Sequence, residues 1–403
     1  MVERGDRALE DGIQALSDWI VAEGLQTAEF EPLFAGFCDR LAALGVPVLR
    51  GHVAMRTLHP EIRAMGYSWR PGAEIESSAM NYSQESSAAF IGSPFKWLIE
   101  SGQGAMRRSL APDAALEFPI LGRFRDEGAT DYYARVIGFG FGRDVLQEGL
   151  ITSWTTAREG GFGETDIAVL DRLLPRLALA LKSTIAFQFS VNLLDVYVGG
   201  DAGRRILRGT IRRGSTEVIS AVVFFADLQG FTAAADAAPG NAVVEMLNDY
   251  FDCLVPPVVA RGGQVLKFIG DGLLAVFALD AEQGDECTRA LTAAREALER
   301  TRALNERRAE SGRPYLPLHI ALHTGDVHYG NIGSSGRLDF TVIGPAVNEA
   351  ARIEALCGET GHALLVSERF AQDPACRGAL RPVGEFALRG VPRTQTLYTV
   401  AEG

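Results

Sequence analysis

Residues 217–226 constrain the fold most: they are rich in Val, Ile and Phe and apolar on both faces. Such a strand needs cover on both sides, so it belongs inside a sheet flanked by helices. The following segments supply that cover. Residues 241–261 read as a helix, and 264–270 and 273–278 as strands joined at Asp271-Gly272, a strong hairpin signal. Then come a helix over 282–310, a strand over 316–323 and a helix over 345–357 with proline in its first turn, and further strands near His362 and Gln395. The order β-α-β-β-α-β is that of a ferredoxin-like unit, so the fold class is α+β.

The first half of the chain mixes signals. Residues 8–22 and 28–44 have the spacing of amphipathic helices, 46–58 is extended, and the Gly and aromatic content of 139–162 predicts antiparallel strands. Ile167, Leu170, Leu173, Leu174 and Leu177 predict a helix over 164–182, kinked at Pro175. A second helix over 189–198 is expected to stop at Gly199-Gly200, with Asp201 capping a third that carries Arg204 and Arg205. Residues 212–215 read as a turn. The expected organisation is an N-terminal domain over 1–190, a helical linker over 191–215 and a C-terminal domain over 216–403.

The formal net charge of −12 argues against general attraction to nucleic acid or an anionic membrane. The most apolar stretch, 173–189, is broken by Pro175, Arg176 and Lys182, so no membrane span is expected. The N-terminus lacks a signal peptide's apolar core. Cys38, Cys253, Cys287, Cys357 and Cys376 show neither disulfide nor metal spacing, which predicts a reduced, cytoplasmic protein.

Two carboxylates stand out. Asp227 ends the first strand of the C-terminal half, and Asp271 sits in the hairpin turn. Each alone reads as a capping or turn residue. Together, at adjacent strand tips, they suit a pair of hard divalent cations. The segment 228–232, with Phe231 and Thr232, offers backbone N–H groups near a helix start, where phosphates bind.

Phe225-Ala226-Asp227-Leu228-Gln229-Gly230-Phe231-Thr232, Lys267-Phe268-Ile269-Gly270-Asp271-Gly272 and the stretch from Asp339 through Gly344-Pro345 to Asn348 and Arg352 resemble the three signature blocks of class III adenylate cyclases, in the family's order. The resemblance covers about 216–400. It implies that Asp227 and Asp271 bind metal (Mg²⁺ or Mn²⁺, two per active site), and that Lys267 and Thr341 select adenine. It further implies that Asn348 and Arg352 orient the ribose and stabilise the transition state, and that Arg389 binds triphosphate. Arg337 is a further phosphate candidate. Thr341 departs from the family's commonest Asp and matches a subgroup that includes bicarbonate-responsive enzymes. The implied substrate is ATP, the product cyclic AMP, and the assembly a homodimer with sites shared between subunits.

The chemistry of the residues agrees. A Lys ammonium donates to adenine N1 and a Thr hydroxyl can accept from N6, whereas guanine reverses both signs. Asn348 and Arg352 lie one helical turn apart. A catalytically silent dimerising sensor is the competing reading, opposed by the complete residue set. A diguanylate cyclase would need a Gly-Gly-Asp/Glu-Glu-Phe block, which is absent.

The N-terminal domain is reminiscent of GAF- and PAS-like sensor modules in its Gly161-Phe162-Gly163 followed by an exiting helix. A small-molecule ligand there is expected but not identified. Trp69, Phe90, Phe95, Trp97, Tyr132, Tyr133 and Trp154 are either pocket lining or, for most, core. His319, His323 and His328 as a zinc site, and His52 with His59 as haem ligands, are weaker alternatives.

Overall fold

The computed structural model describes residues 2–27, 29–57, 60–83, 87–139, 149–237, 239–280 and 284–401. The chain divides into two compact units, with the boundary after Leu193.

Unit one begins with helices α1 (Val2–Gln26) and α2 (Phe30–Ala43). Strands β1 (Arg50–Arg56), β2 (Ile62–Trp69) and β3 (Glu76–Asn81) follow, then short helices α3 (Ala88–Ile91) and α4 (Pro94–Ser101), and β4 (Ala105–Ser109). Helix α5 (Pro119–Asp126), β5 (Asp131–Gly138), β6 (Gly149–Thr156) and α6 (Glu164–Val198) complete it. The strands pair in the order β3-β2-β1-β6-β5-β4. One face is covered by Ile20 of α1, Phe34 and Phe37 of α2 and Leu170, Leu174 and Leu177 of α6, packed round Trp154 of β6. The other is covered by Leu98 of α4 and Leu121 and Phe124 of α5, against Tyr132 and Ala134 of β5.

The two expected helices, over 164–182 and 189–198, form one helix, α6, with Pro175 inside it. A proline removes the N–H that would bond the carbonyl four residues earlier. Here that carbonyl, on Asp171, accepts from Arg135 Nη1 at 2.9 Å. Residues 183–188 hold no Gly or Pro to end the helix. By length and apolar content α6 is also long enough to cross a membrane, which the sequence reading did not expect. Its residues from Val169 to Ile185 nonetheless include eight that are buried against the core of unit one.

Unit two opens with α7 (Gly200–Leu207) and β7 (Thr216–Leu228). Then come α8 (Phe231–Ala237), α9 (Gly240–Ala260), the hairpin β8 (Gln264–Ile269) and β9 (Gly272–Ala278), and α10 (Glu286–Glu310). The long β10 (Leu318–Gly333) pairs with β11 (Leu338–Ile343), which the sequence reading missed, and α11 (Pro345–Thr360) follows. Strand β12 (Leu364–Val366), helices α12 (Glu368–Ala371) and α13 (Pro374–Arg377), and strands β13 (Leu380–Phe386) and β14 (Gln395–Val400) end it. The sheet order is β13-β14-β12-β10-β7-β9-β8, which puts β7 in the interior. Its Val222, Phe224 and Ala226 pack on the α9 and α10 side, and Ala221 and Val223 on the other. Fully burying one such side chain is worth roughly 1.5–3 kcal/mol.

Two local expectations need correction. Gly199, not Asp201, caps α7; the Asp201 carboxylate instead accepts from Arg205 Nε at 2.7 Å and Tyr329 Oη at 3.0 Å. The hairpin turn is Gly270-Asp271, because Gly272 already pairs with Ile269 in the ladder. Gly270 has φ +63°, the positive angle at the first of two linking residues that a type II′ turn demands.

Candidate functional site

Strand β7 runs through a buried apolar stretch, Ala221–Phe224, and carries Asp227 near its end, opposite His319 in the β10 ladder. The β8–β9 turn brings Asp271 to the same place. The turn lies close against the end of β7: a Cβ on Gly272 would lie 2.9 Å from both the Ala226 carbonyl and Asp227 Oδ1. That fit explains a glycine directly after Asp271. Burial first, and the Asp271 charge second, push the Asp227 carboxyl up to about 6. Two carboxylates that repel each other with only one backbone N–H in compensation are a place for added positive charge.

Glu354 is the acid that the sequence reading missed. It lies on α11, is 7% exposed, and is pushed up to about 7 by burial, then by Asp227 and Asp271. His319 Nδ1 stands 3.8 Å from its Oε1. A signal existed: Glu354 follows Arg352 by two positions on a helix whose Ala350 and Ile353 are buried, which turns it inward. Among the described residues no three His, Cys, Asp or Glu side chains converge as a metal cage. The aspartate pair still fits a hard divalent cation of the kind that takes one or two carboxylates and completes its shell with substrate phosphates and water.

Lys267 and Thr341 meet elsewhere. With Arg337 they line a cavity of about 810 Å³, bounded also by Tyr197 at the end of α6, Asp201 of α7 and Phe340. Thr341 is 3% exposed and its Oγ1 has no hydrogen-bond partner among the described residues. Neither aspartate, nor Asn348, nor Arg352 lines this cavity.

Asn348 is exposed on α11 and Arg352, one turn on, is half-buried. A Cβ on Gly390 would meet Arg352 Nη1 and Nη2 at 3.6 Å, so the Arg389-Gly390 turn lies beside this guanidinium, with Arg389 itself exposed. Phe231 packs partly on the core while Thr232 is exposed. They begin α8, which has only seven residues, too few for a strong terminal dipole. The three histidines do not converge: His319 faces Glu354 and His323 faces Glu349, each at 3.8 Å. His52 is hydrogen-bonded to Ser68, and His59 lies outside the described residues.

Residues 215–401 match the family model of the adenylate and guanylate cyclase catalytic domain. An adenylate cyclase of Anabaena cylindrica is 32% identical over 169 residues, 41% of this chain and 33% of that protein. Adenylate cyclase 1 of Rhizobium meliloti is 29% identical over 179 residues, 44% of this chain and 26% of its own length. The aligned stretches thus span about a third or less of these relatives. Among solved structures, the adenylyl cyclase CyaB from P. aeruginosa is 25% identical, covering 47% of this chain and 97% of its own with a TM-score of 0.43.

Proposed function

Residues 215–401 form a class III nucleotidyl cyclase domain, and on that premise we propose that the chain converts ATP to 3′,5′-cyclic AMP and pyrophosphate. The carrying observation is the cavity shared by Lys267 and the unpartnered, buried Thr341 Oγ1. Lys267 donates to adenine N1, and Thr341 accepts from N6. A buried hydroxyl without a partner is costly unless a ligand supplies one.

Asp227 and Asp271 would hold the two divalent cations, Mg²⁺ or Mn²⁺, which would supply positive charge at the phosphates and activate the ribose 3′-hydroxyl. Asn348 orients the ribose. Arg352 answers the charge that builds on the transferring phosphoryl group, with Arg389 and Arg337 on the outer phosphates. The 228–232 segment, with Phe231 and Thr232, lies against the phosphates through its backbone N–H groups.

Within one chain the base-selecting cavity and the aspartate pair are separate, which supports a homodimer whose sites are composite: one subunit gives Asp227 and Asp271, the other Lys267, Thr341, Asn348 and Arg352. Residues 1–190 would act as a GAF- or PAS-like sensor, joined through the helical linker 191–215 to the catalytic domain 216–403. The continuity of α6 across the boundary at Leu193 supports that link.

The test is turnover of ATP and GTP by the full chain with Mg²⁺ or Mn²⁺, read by chromatography of the cyclic products. Cyclic AMP should dominate, and Lys267→Glu should relax the choice of base. Cyclic GMP as the main product, or unchanged selectivity in Lys267→Glu, would overturn the assignment.

A further inference from the structure

Strand β1 alternates strictly. Gly51, Val53 and Met55 are buried on one face, while Arg50, His52 and Ala54 point to the other. On that second face two cavities share His52 and Phe95, one of about 470 Å³ and one of about 360 Å³, within the range of small-molecule sites. The chain has 51 acidic and 39 basic residues. Yet among the described residues neither cavity is lined by an Asp or Glu, whereas Arg50, Arg123, Arg56, Arg63 and Lys96 all contribute.

Arg50 is the unusual one. Its guanidinium donates to two neutral hydroxyls, Ser68 Oγ at 2.9 Å and Ser153 Oγ at 3.5 Å, and lies 5.0 Å from the Phe124 ring centroid. No carboxylate among the described residues forms an ion pair with it. Two carboxylates act on it at longer range only: Glu127, already paired with Arg70 at 2.6 Å, and Glu76, which is exposed. Burial pulls Arg50 down to about 10, and burial followed by the Arg50 charge pulls His52 down to about 3, so His52 is neutral. A cation withdrawn from water without a counter-charge is costly. Elsewhere in this unit even half-exposed arginines have a carboxylate partner: Arg107 with Asp131, Arg135 with Asp171 and Arg158 with Asp166.

The walls are flat and apolar. The His52 and Phe95 rings are near-parallel with centroids 5.8 Å apart, and Phe124 and Tyr132 are near-parallel at 6.0 Å. Tyr132 is 2% exposed, and burial keeps its phenol protonated and able to donate.

We propose that this face of the N-terminal unit is a binding site for a small organic carboxylate with a planar, apolar body, its carboxylate on Arg50 and its body between the aromatic walls. Arg geometry suits bidentate recognition of such a head group. The site does not depend on the cyclase assignment, and its test reads binding rather than turnover.

The experiment is calorimetric titration of the full chain with benzoate, phenylacetate and indole-3-acetate, each beside its primary amide, at up to millimolar concentration. Tryptophan fluorescence, from Trp19, Trp69, Trp97 and Trp154, locates the event, because all four lie in this unit. At least one carboxylate should bind roughly tenfold or more tighter than its amide, the scale of a hydrogen bond to a charged group. Arg50→Gln should remove that preference and Arg50→Lys should restore part of it. No binding by any of the carboxylates, or equal binding of acid and amide, overturns the proposal. The acid–amide comparison uses the unaltered protein, so it stands even where Arg50→Gln fails to fold. Phenyl phosphate binding through Arg50 while the carboxylates do not would overturn the choice of head group.

Discussion

Two sets of charged residues, one in each unit, are handled in opposite ways, although the C-terminal unit also has committed pairs such as Arg308 with Asp249 and Arg261 with Glu296. In the C-terminal unit Lys267, Asn348, Arg352 and Arg389 have exposed or half-exposed side chains with no hydrogen bond or ion pair to another described residue, and Asp227 has burial and the Asp271 charge against it with one backbone N–H, of Leu228, in its favour. In the N-terminal unit Arg107, Arg135 and Arg158 are committed to Asp131, Asp171 and Asp166. Donors already satisfied within the chain hold a fold together. Donors that face solvent are met by water and stay available to a ligand, whereas a charge withdrawn from water without a close partner costs free energy that a ligand can return. Arg50 is of the second kind, although no motif surrounds it.

This contrast breaks most visibly at the aspartates. Asp227→Ala and Asp271→Ala should each lower turnover by ~10²-fold or more, the usual loss for an electrostatic catalytic group, while the cooperative unfolding of the chain is retained. Near-normal activity in either would remove the pair from the mechanism. The composite arrangement sharpens the point. Asp227→Ala and Arg352→Ala should each be nearly inactive alone. When they are mixed, about half the dimers are heterodimers with one intact site, so activity should return to about a quarter of wild type. No recovery despite demonstrated subunit exchange would place each site within one chain.

A smaller effect is expected from removing the N-terminal unit. A chain beginning near Arg212 should stay active but with altered turnover, since displacing reacting groups by about 1 Å can cost ~10²-fold. The comparison must be made where both forms are shown to be dimeric. Identical activities and metal dependences would leave the N-terminal unit a dimerisation element and end the sensor reading.

The C-terminal unit was the more legible because its two aspartates sit at a strand end and a turn, where residue type and position are tied together. Asp227 follows a run of apolar residues, and Asp271 sits in a turn that needs Gly270 before it. Glu354 escaped because its role depends on which face of α11 is inward, a tertiary fact. Strand β11 escaped because residues 338–343 gain their ladder only from a strand, β10, that runs ten residues beyond the expected end at His323. In the N-terminal unit, the aromatic residues could not be sorted by pattern. Trp154, Trp69 and Tyr133 proved to be core, Phe90 and Phe95 line the cavities, and Tyr132 does both. The expected break between 182 and 189 failed because residues 183–188 hold no Gly or Pro to end the helix, and the carbonyl that Pro175 leaves without a backbone donor is met by a residue some forty positions away.

That last compensation gives the smallest and most exacting prediction. Arg135 satisfies the Asp171 carbonyl only because Pro175 has no N–H to give it. Arg135→Ala should therefore destabilise the N-terminal unit by about 1–3 kcal/mol, through the lost charge pair with Asp171 and the orphaned carbonyl together. Pro175→Ala should stabilise, by up to ~3 kcal/mol, because it restores the helical bond. In the Pro175→Ala background the same Arg135→Ala change should cost about 1 kcal/mol less, since the carbonyl then has its backbone partner and only the charge pair is lost. Urea unfolding followed by tryptophan fluorescence reads this unit alone, all four tryptophans being within it. Strictly additive changes would mean that water already satisfies the Asp171 carbonyl, and that Arg135 acts only through the Asp171 carboxylate and the hydroxyl of Tyr133 that donates to it.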